Sequence, residues 1–423
     1  MKIYNQPTRK EWESICTRPT FSLKQIESQV QNVLQSIKEE GDTALKKFTK
    51  EFDKIDLEDF RVTSEELKEA ESLVSEPLKM AINQAYKNIL VFHNSQQEEI
   101  KKIEITKGIT CWRKSVGIEK VGLYIPGGTA PLFSTVLMLG IPAKIAGCKK
   151  VVLCSPPNKE GKIHPPILYA AHLVGATDIF KIGGIQAIGA MAYGTNSVPK
   201  VYKIFGPGNQ YVTVAKQLIQ NEGIAIDMPA GPSEVAVLAD KTCVPSFVAA
   251  DLLSQAEHGK DSQVILMTDN EETAKQIKAE VEKQLELLPR KEFAQKSLEN
   301  SRFVVLQNRQ DILDMSNFYA PEHLIIALEN PEEAAEHIIN AGSVFLGNYT
   351  PESVGDYASG TNHTLPTDGH ARAYSGVSLD SFVKKITFQS LTKEGLNQIG
   401  QTVIEMAEAE ELKAHANAVR VRL

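Results

Sequence analysis

The chain has 423 residues, 42% of them hydrophobic and 23% charged, which excludes a wholly disordered chain, a collagen-like fibre and a disulfide-stapled miniprotein and predicts two or three packed units. Lys and Arg total 46 against 53 Asp and Glu, a net charge of −7, so no basic surplus exists to grip a phosphate backbone and no nucleic-acid partner is expected. The opening Met1–Thr8 has no apolar signal core, no apolar run is long enough to span a bilayer, and the five cysteines form no CxxC pair; these features predict a cytoplasmic protein with free thiols and no membrane contact.

In the first third, Ile26, Val30, Val33, Leu34 and Ile37 recur at helical spacing and predict an amphipathic helix. Thr63 followed by Glu66 is a capping-box signal for another helix, and Pro77 should split that segment in two. Ile103–Trp112 alternates around Lys107-Gly108, the pattern of a hairpin. From about residue 118 short apolar strands (Gly117–Ile125, Val151–Cys154, Tyr202–Phe205, Val235–Leu238, Val264–Met267) alternate with helical stretches, and the alternation continues past Phe303–Leu306. That is the signature of βαβ units, and it predicts an α/β fold with two mostly parallel sheets. A strand-like Ser381–Phe388 and a polar helix running towards His415 close the chain.

Four glycine-bearing turns follow apolar strands: Gly122–Thr129, Gly183–Gly189, Gly206–Asn209 and Gly231–Ser233. Glycine at a strand end lets the backbone approach a ligand closely, and the next helix offers free N–H groups to an anion. None is a G-x-G-x-x-G fingerprint, and the first, spaced like a phosphate loop, has Gly128 where the lysine belongs. Any one of them can simply turn the chain. Together, each beside a polar or aromatic reader (Tyr124, Gln186, Asn209, Ser233), they point to a bound ligand, for which a nucleotide is the natural candidate.

Four further places carry chemistry. Gln255 and His258, at i and i+3 near the end of a helical stretch from about Val244, can face one ion, although a histidine there is also what the helix dipole favours. Glu322-His323 sets a carboxylate beside an imidazole suited to base catalysis, and equally fits a surface pair. Gly355–Pro366 is a polar loop holding Asp356 and His363, and Glu410 and His415 lie near the C-terminus. Spacing alone does not bring these groups together.

Tyr124-Ile-Pro-Gly-Gly-Thr, Phe133-Ser-Thr-Val-Leu-Met, Gly206-Pro-Gly-Asn209, Ala230-Gly-Pro-Ser-Glu234, Ser254-Gln-Ala-Glu-His258-Gly, Ala320-Pro-Glu-His323-Leu and Gly355-Asp-Tyr-Ala-Ser-Gly-Thr-Asn-His363-Thr-Leu-Pro together resemble the histidinol dehydrogenase family, in the family's order and through nearly the whole chain. The resemblance implies two Rossmann-like βα domains with parallel sheets, plus small N- and C-terminal segments that exchange in a dimer. The division it suggests is 1–22 as an N-terminal segment, 23–119 with 235–378 as the zinc and catalytic domain, 120–234 as the NAD domain, and 379–423 docking on a partner subunit.

The implied activity is the last step of histidine biosynthesis, a zinc-dependent, two-step oxidation of L-histidinol to L-histidine through histidinaldehyde that reduces two NAD. Position by position, Gln255, His258, Asp356 and His415 match the zinc ligands, Glu322 and His323 the acid–base pair, and Tyr124, Gln186 and Asn209 the NAD contacts. Substrate contacts match at Ser233, Gln255, His258, His323, Asp356, Glu410 and His415, with His363 a further one. The implied assembly is a homodimer with shared active sites. A paralogue acting on another amino alcohol should lose a zinc ligand or the C-terminal tail. A cysteine-dependent aldehyde dehydrogenase needs a reactive thiol facing NAD, and a non-catalytic nucleotide-binding protein has no need of the acid–base pair.

Overall fold

The structure is a computed structural model and describes residues 1–19, 23–127 and 131–423. The runs Glu234–Ala239, Gln263–Thr268 and His323–Ala327 are buried at every position, as parallel strands covered on both faces must be. They form the centre of a six-stranded parallel sheet ordered Lys2–Asn5, Arg302–Val305, Gln263–Thr268, Glu234–Ala239, His323–Ala327, Ser343–Leu346. A five-stranded parallel sheet is ordered Asp178–Lys181, Lys150–Ser155, Lys120–Tyr124, Lys203–Phe205, Ala225–Ile226. Two parallel sheets in an α/β chain is what the strand–helix alternation predicts.

The local signals hold. Thr63 and Glu66 form the capping box that opens the helix Ser64–Leu73, and Pro77 sits in the first turn of the separate helix Glu76–Asn94, where its missing N–H costs nothing. Ile103–Thr106 and Ile109–Gly117 pair antiparallel as the expected hairpin. The expected strand Gly117–Ile125 is instead two. At Gly117 the chain leaves an antiparallel ribbon, where Ile109–Gly117 pairs with Val383–Leu391, and Lys120–Tyr124 enters the parallel sheet. The Ile118 N–H between them donates to the Phe382 carbonyl at 2.8 Å. The tip of the first glycine turn, Gly128–Thr129, lies outside the described residues.

The helices of the first hundred residues pack on helices that flank the five-stranded sheet. Leu23–Glu40 packs on the helices Gly184–Tyr193 and Gln210–Asn221, Ser64–Leu73 on Pro165–Val174, and Glu76–Asn94 on Phe133–Ala146. All of these partners flank the five-stranded sheet rather than the six-stranded one. The reason is visible at Gly189: a Cβ there would come within 2.9 Å of Ile37 and 3.1 Å of Leu34, so the bare glycine lets the amphipathic face of Leu23–Glu40 seat closely. The first fifteen residues go the other way, with Lys2–Asn5 edging the six-stranded sheet and Trp12 and Ile15 buried against Leu313, Met315 and Tyr319. At the other end, the helices Lys393–Ala409 and Lys413–Arg420 bury Ile404, Ala407 and Ala416 between them and leave Val403, Met406, Leu412 and Val421 exposed. Among the described residues no helix is long and apolar enough to cross a membrane.

Candidate functional site

Tyr124 ends the strand Lys120–Tyr124, Gln186 and Asn209 follow the ends of Asp178–Lys181 and Lys203–Phe205, and Ser233, Glu322 and His323 stand at the N-terminal ends of Glu234–Ala239 and His323–Ala327. Ends of parallel strands are where α/β sheets present ligand groups. A cleft of about 820 Å³ is lined by Asn209, Ser233 and His258 together with Gly208, Lys260 and His370.

Glu322 and His323 are placed by a sharp stop. The helix Arg309–Tyr319 ends on Ala320 at φ 53°, Pro321 follows, and the strand starts at His323. Behind them Gly342 has no room for a side chain, since a Cβ would lie 2.5 Å from the Glu322 carbonyl. Both side chains are buried, 6% and 2% exposed, which removes the surface-pair reading. Glu322 Oε2 accepts the Glu234 N–H at 2.9 Å and lies 3.7 Å from His323 Nδ1.

On the other side of the imidazole, His323 Nε2 is 3.3 Å from Asp356 Oδ1. Asp356 shares the short helix Glu352–Tyr357 with Glu352, four residues earlier and 1% exposed. Ligand atoms of His323, Glu352 and Asp356 lie within 4.8 Å of one another. Gln255, wholly buried at the end of the helix Pro245–Ala256, sets its amide beside Glu352 Oε1 and the Glu234 N–H, and satisfies both when the amide nitrogen is turned to Glu352 and the oxygen to Glu234. Both His323 nitrogens, Glu352 Oε2 and Asp356 Oδ1 are buried without a hydrogen-bond partner. One imidazole nitrogen of His323 and the carboxylate oxygens of Glu352 and Asp356 are a nitrogen and oxygen donor set of the kind a borderline divalent metal takes, so the residues fit one.

The charges are strongly coupled. Burial opposes protonation of His323, but the carboxylates of Glu352 and Glu322 and the Asp356 contact outweigh it and hold the imidazole well above its ordinary range. Glu352 is pushed well up by burial and by Asp356, Glu322 and Asp251, against the pull of His323. Burial also raises Asp356, but the close approach and charge of His323, with His363 and His258, keep it below the usual carboxylate range.

The remaining residues divide. His258 is exposed just beyond the helix end and faces the cleft. His363 has both nitrogens engaged, Nδ1 with the Asp356 carbonyl at 2.7 Å and Nε2 with Thr135 Oγ1 at 2.9 Å, and so clasps the Asp356 segment to the helix Phe133–Ala146. Tyr124 accepts the Gly184 N–H at 3.1 Å, and Asn209 caps the helix Gln210–Asn221 by accepting from Tyr211 and Val212. Glu410 and His415 are exposed at and beyond the end of Lys393–Ala409, and within one chain the structure does not bring them to Asp356. Glu352 was not singled out from the sequence, although Glu352 and Asp356 at i and i+4 is a spacing that places two carboxylates on one helical face.

A model of the family described as histidinol dehydrogenase matches residues 16–423. The chain belongs to the histidinol dehydrogenase family. The histidinol dehydrogenase of Bacteroides thetaiotaomicron is 59% identical over 423 residues, covering 100% of this chain and 99% of that protein. That of Yersinia pestis is 50% identical, covering 99% and 95%. The crystal structure of histidinol dehydrogenase from Elizabethkingia anophelis superposes with a TM-score of 0.98 at 57% identity, covering 100% of this chain and 98% of that one. As a histidinol dehydrogenase family member the protein is an oxidoreductase of histidine biosynthesis. A probable aldehyde dehydrogenase from Listeria monocytogenes shares the fold at a TM-score of 0.51 and 13% identity, over 90% of this chain and 94% of that one. Its likeness stops at the fold. Burial pushes the Cys16 thiol up to about 12 and those of Cys148 and Cys243 to about 11, and raises Cys154 as well, so none of these four is an activated nucleophile.

Proposed function

We propose that this protein oxidises L-histidinol to L-histidine through histidinaldehyde in two NAD-dependent steps, with one zinc ion at each active site. The observation that carries this reading is the buried Glu322–His323 pair set against the unpartnered carboxylate oxygens of Glu352 and Asp356. Gln255, His258 and Asp356, with the partner subunit's His415, would hold the zinc, which when bound supplies a template for the imidazole and amine of histidinol. Ser233 and the partner subunit's Glu410 complete the substrate contacts, and Tyr124, Gln186 and Asn209 hold NAD.

His323 takes the hydroxyl proton while the carbinol hydride leaves to NAD, giving the aldehyde. Glu322 accepts a proton from water as the water adds to the aldehyde carbon, and the carbonyl oxygen takes up the proton that His323 had accepted, giving the hydrate and returning the imidazole to its neutral form. His323 then takes a hydroxyl proton of the hydrate as the second hydride leaves to a second NAD, and the product is the carboxylic acid. A base must be neutral to act, and the buried carboxylates around His323 favour its cation. A cation held by those carboxylates would weaken their pull and favour the neutral imidazole.

The exposed apolar residues of the C-terminal helix pair support a tail that docks on a second copy, making a homodimer with shared active sites. The proposed setting is the cytoplasm, in keeping with five unbridged cysteines. The test is NADH production from histidinol with and without a chelator. Turnover that needs histidinol and NAD and is lost on chelation supports the reading, and full activity in metal-free protein refutes the zinc.

A further inference from the structure

At the start of the helix Gly184–Tyr193 lies an amide with one end engaged and the other free. Gln186 is wholly buried. Its Nε2 donates to Asp53 Oδ2 at 3.0 Å, and its Oε1 has no partner. A carboxylate can only accept, so Asp53 decides which end of the amide turns towards it and which end turns away. The free oxygen curls over Gly184, where a Cβ would come within 3.0 Å of it. Gly184, at φ +57°, donates its N–H to the Tyr124 hydroxyl at 3.1 Å. Oxygen, phenol and helix start therefore form one cradle at the C-terminal rim of the five-stranded sheet, and a buried acceptor left open there calls for a donor from outside.

Asp53 reaches this cradle from far away in sequence. It closes the single π-helical turn Thr49–Asp53, and Lys54 follows at φ 61°, a local distortion of the kind that aims a side chain. Burial pushes its carboxyl up to about 6, with the Gln186 hydrogen bond the contact that opposes this. The titratable group facing it from the strand Lys120–Tyr124 is Tyr124, itself raised to about 12 by burial and so neutral. On its own segment Lys50 pairs instead with Asp56 at 2.6 Å.

We propose that Asp53 is a positioning residue of the nucleotide site: by engaging the Gln186 nitrogen it presents the Gln186 oxygen as an acceptor for a hydroxyl or amide N–H donor of the dinucleotide. The proposal rests on the reading of Tyr124 and Gln186 as NAD contacts. Asp53→Asn keeps the size but offers both a donor and an acceptor, so the Gln186 amide is free to turn. KM for NAD should rise about tenfold, the scale of one lost hydrogen bond, while kcat at saturating NAD and KM for histidinol change by less than about twofold. Asp53→Glu retains the carboxylate and should recover most of the affinity.

A pH series adds a readout that a merely structural role would not move. In the wild type, NAD binding followed by fluorescence should weaken as pH falls through about 6, where Asp53 takes up a proton, and in Asp53→Asn that component should be gone. The same wild-type series tests the proposal even if Asp53→Asn does not fold. Wild-type affinity and an unchanged pH profile in Asp53→Asn overturn the proposal, as does an Asp53→Glu variant that melts like wild type yet binds as weakly as Asp53→Asn. A wild type with no saturable NAD binding is a different failure: it removes the NAD reading, and the assignment of Asp53 with it.

Discussion

The turn that carries Asn209 is anchored by a buried ion pair, and removing one partner should loosen the whole five-stranded unit. Lys216 and Asp227 pair with side chains only 6% and 2% exposed. Asp227 also accepts the N–H groups of Gly206 at 2.8 Å and Met228 at 2.9 Å, and Lys216 donates to the Gly206 carbonyl at 2.9 Å. Gly206 itself, at φ +129°, sits where a Cβ would lie 2.0 Å from the Tyr124 carbonyl, so the turn is wedged against the strand that ends in Tyr124. Lys216→Met keeps the apolar stem and opens no large cavity, which leaves the unpaired Asp227 as the dominant cost. Breaking one side of a buried pair costs about 3–5 kcal/mol, a large share of the ~5–15 kcal/mol that holds a domain folded. With a urea slope of about 3 kcal/mol/M, the unfolding midpoint should drop by roughly 1 M or more at unchanged slope. Adding Asp227→Asn, which removes the stranded charge but keeps an acceptor for Gly206, should restore part of that loss, so the two changes are strongly non-additive. Urea titration by circular dichroism reads both numbers. A midpoint shift below about 0.3 M in Lys216→Met would show that the pair contributes little and that the turn is held by packing alone.

Four further outcomes are expected. His323→Asn should fold like wild type and lose ~10²–10⁴-fold in turnover of histidinol, and near-normal turnover in steady-state assays would remove it as the base. Glu322→Gln should chiefly slow oxidation of supplied histidinaldehyde, and an unaffected aldehyde step counts against its role in hydration. Elemental analysis should find one zinc per chain, lost on acidification because ligation needs neutral imidazole; full activity with far less metal would contradict this. Refolding His415→Ala together with His323→Ala chains should return about one quarter of wild-type activity, since half the dimers are mixed and each has one intact site of two; inactivity in mixtures shown to exchange would place His415 within its own chain.

Local features were legible in the sequence because their causes are local. The Thr63–Glu66 capping box, the Pro77 break and the Lys107-Gly108 hairpin each need only neighbouring residues to form. What the sequence hid is decided at a distance. The helix Leu23–Glu40 seats on the five-stranded unit because Gly189, some 150 residues later, leaves room for Ile37 and Leu34. Lys2–Asn5 is a strand only because Arg302–Val305 offers it an edge.

The site shows the same division. Glu322 and His323 stand out as a motif, but their burial depends on the Ala320 stop and on Gly342 behind them. Gln186 stands out beside its glycines, whereas Asp53, 133 residues away from it, carries no local mark of its partnership. The zinc ligand set came from resemblance, and one chain alone gathers His323, Glu352 and Asp356 while leaving His415 on the exposed tail.

The position of Lys2–Asn5 sets a timetable for synthesis. Its partner Arg302–Val305 is 300 residues downstream in register, so at ~5–20 residues per second the strand leaves the ribosome ~15–60 s before that partner exists. The five-stranded unit is complete by Ile226 and can fold in the interval. The six-stranded sheet cannot close this edge until Arg302–Val305 has been made. A waiting strand is a hazard for pairing with the wrong neighbour, and this one is short and starts with an exposed lysine, both features that make a strand a poor template for another chain. Lys2–Asn5 therefore waits through some 300 residues of synthesis for its partner, and its brevity and charge protect the nascent chain in the meantime.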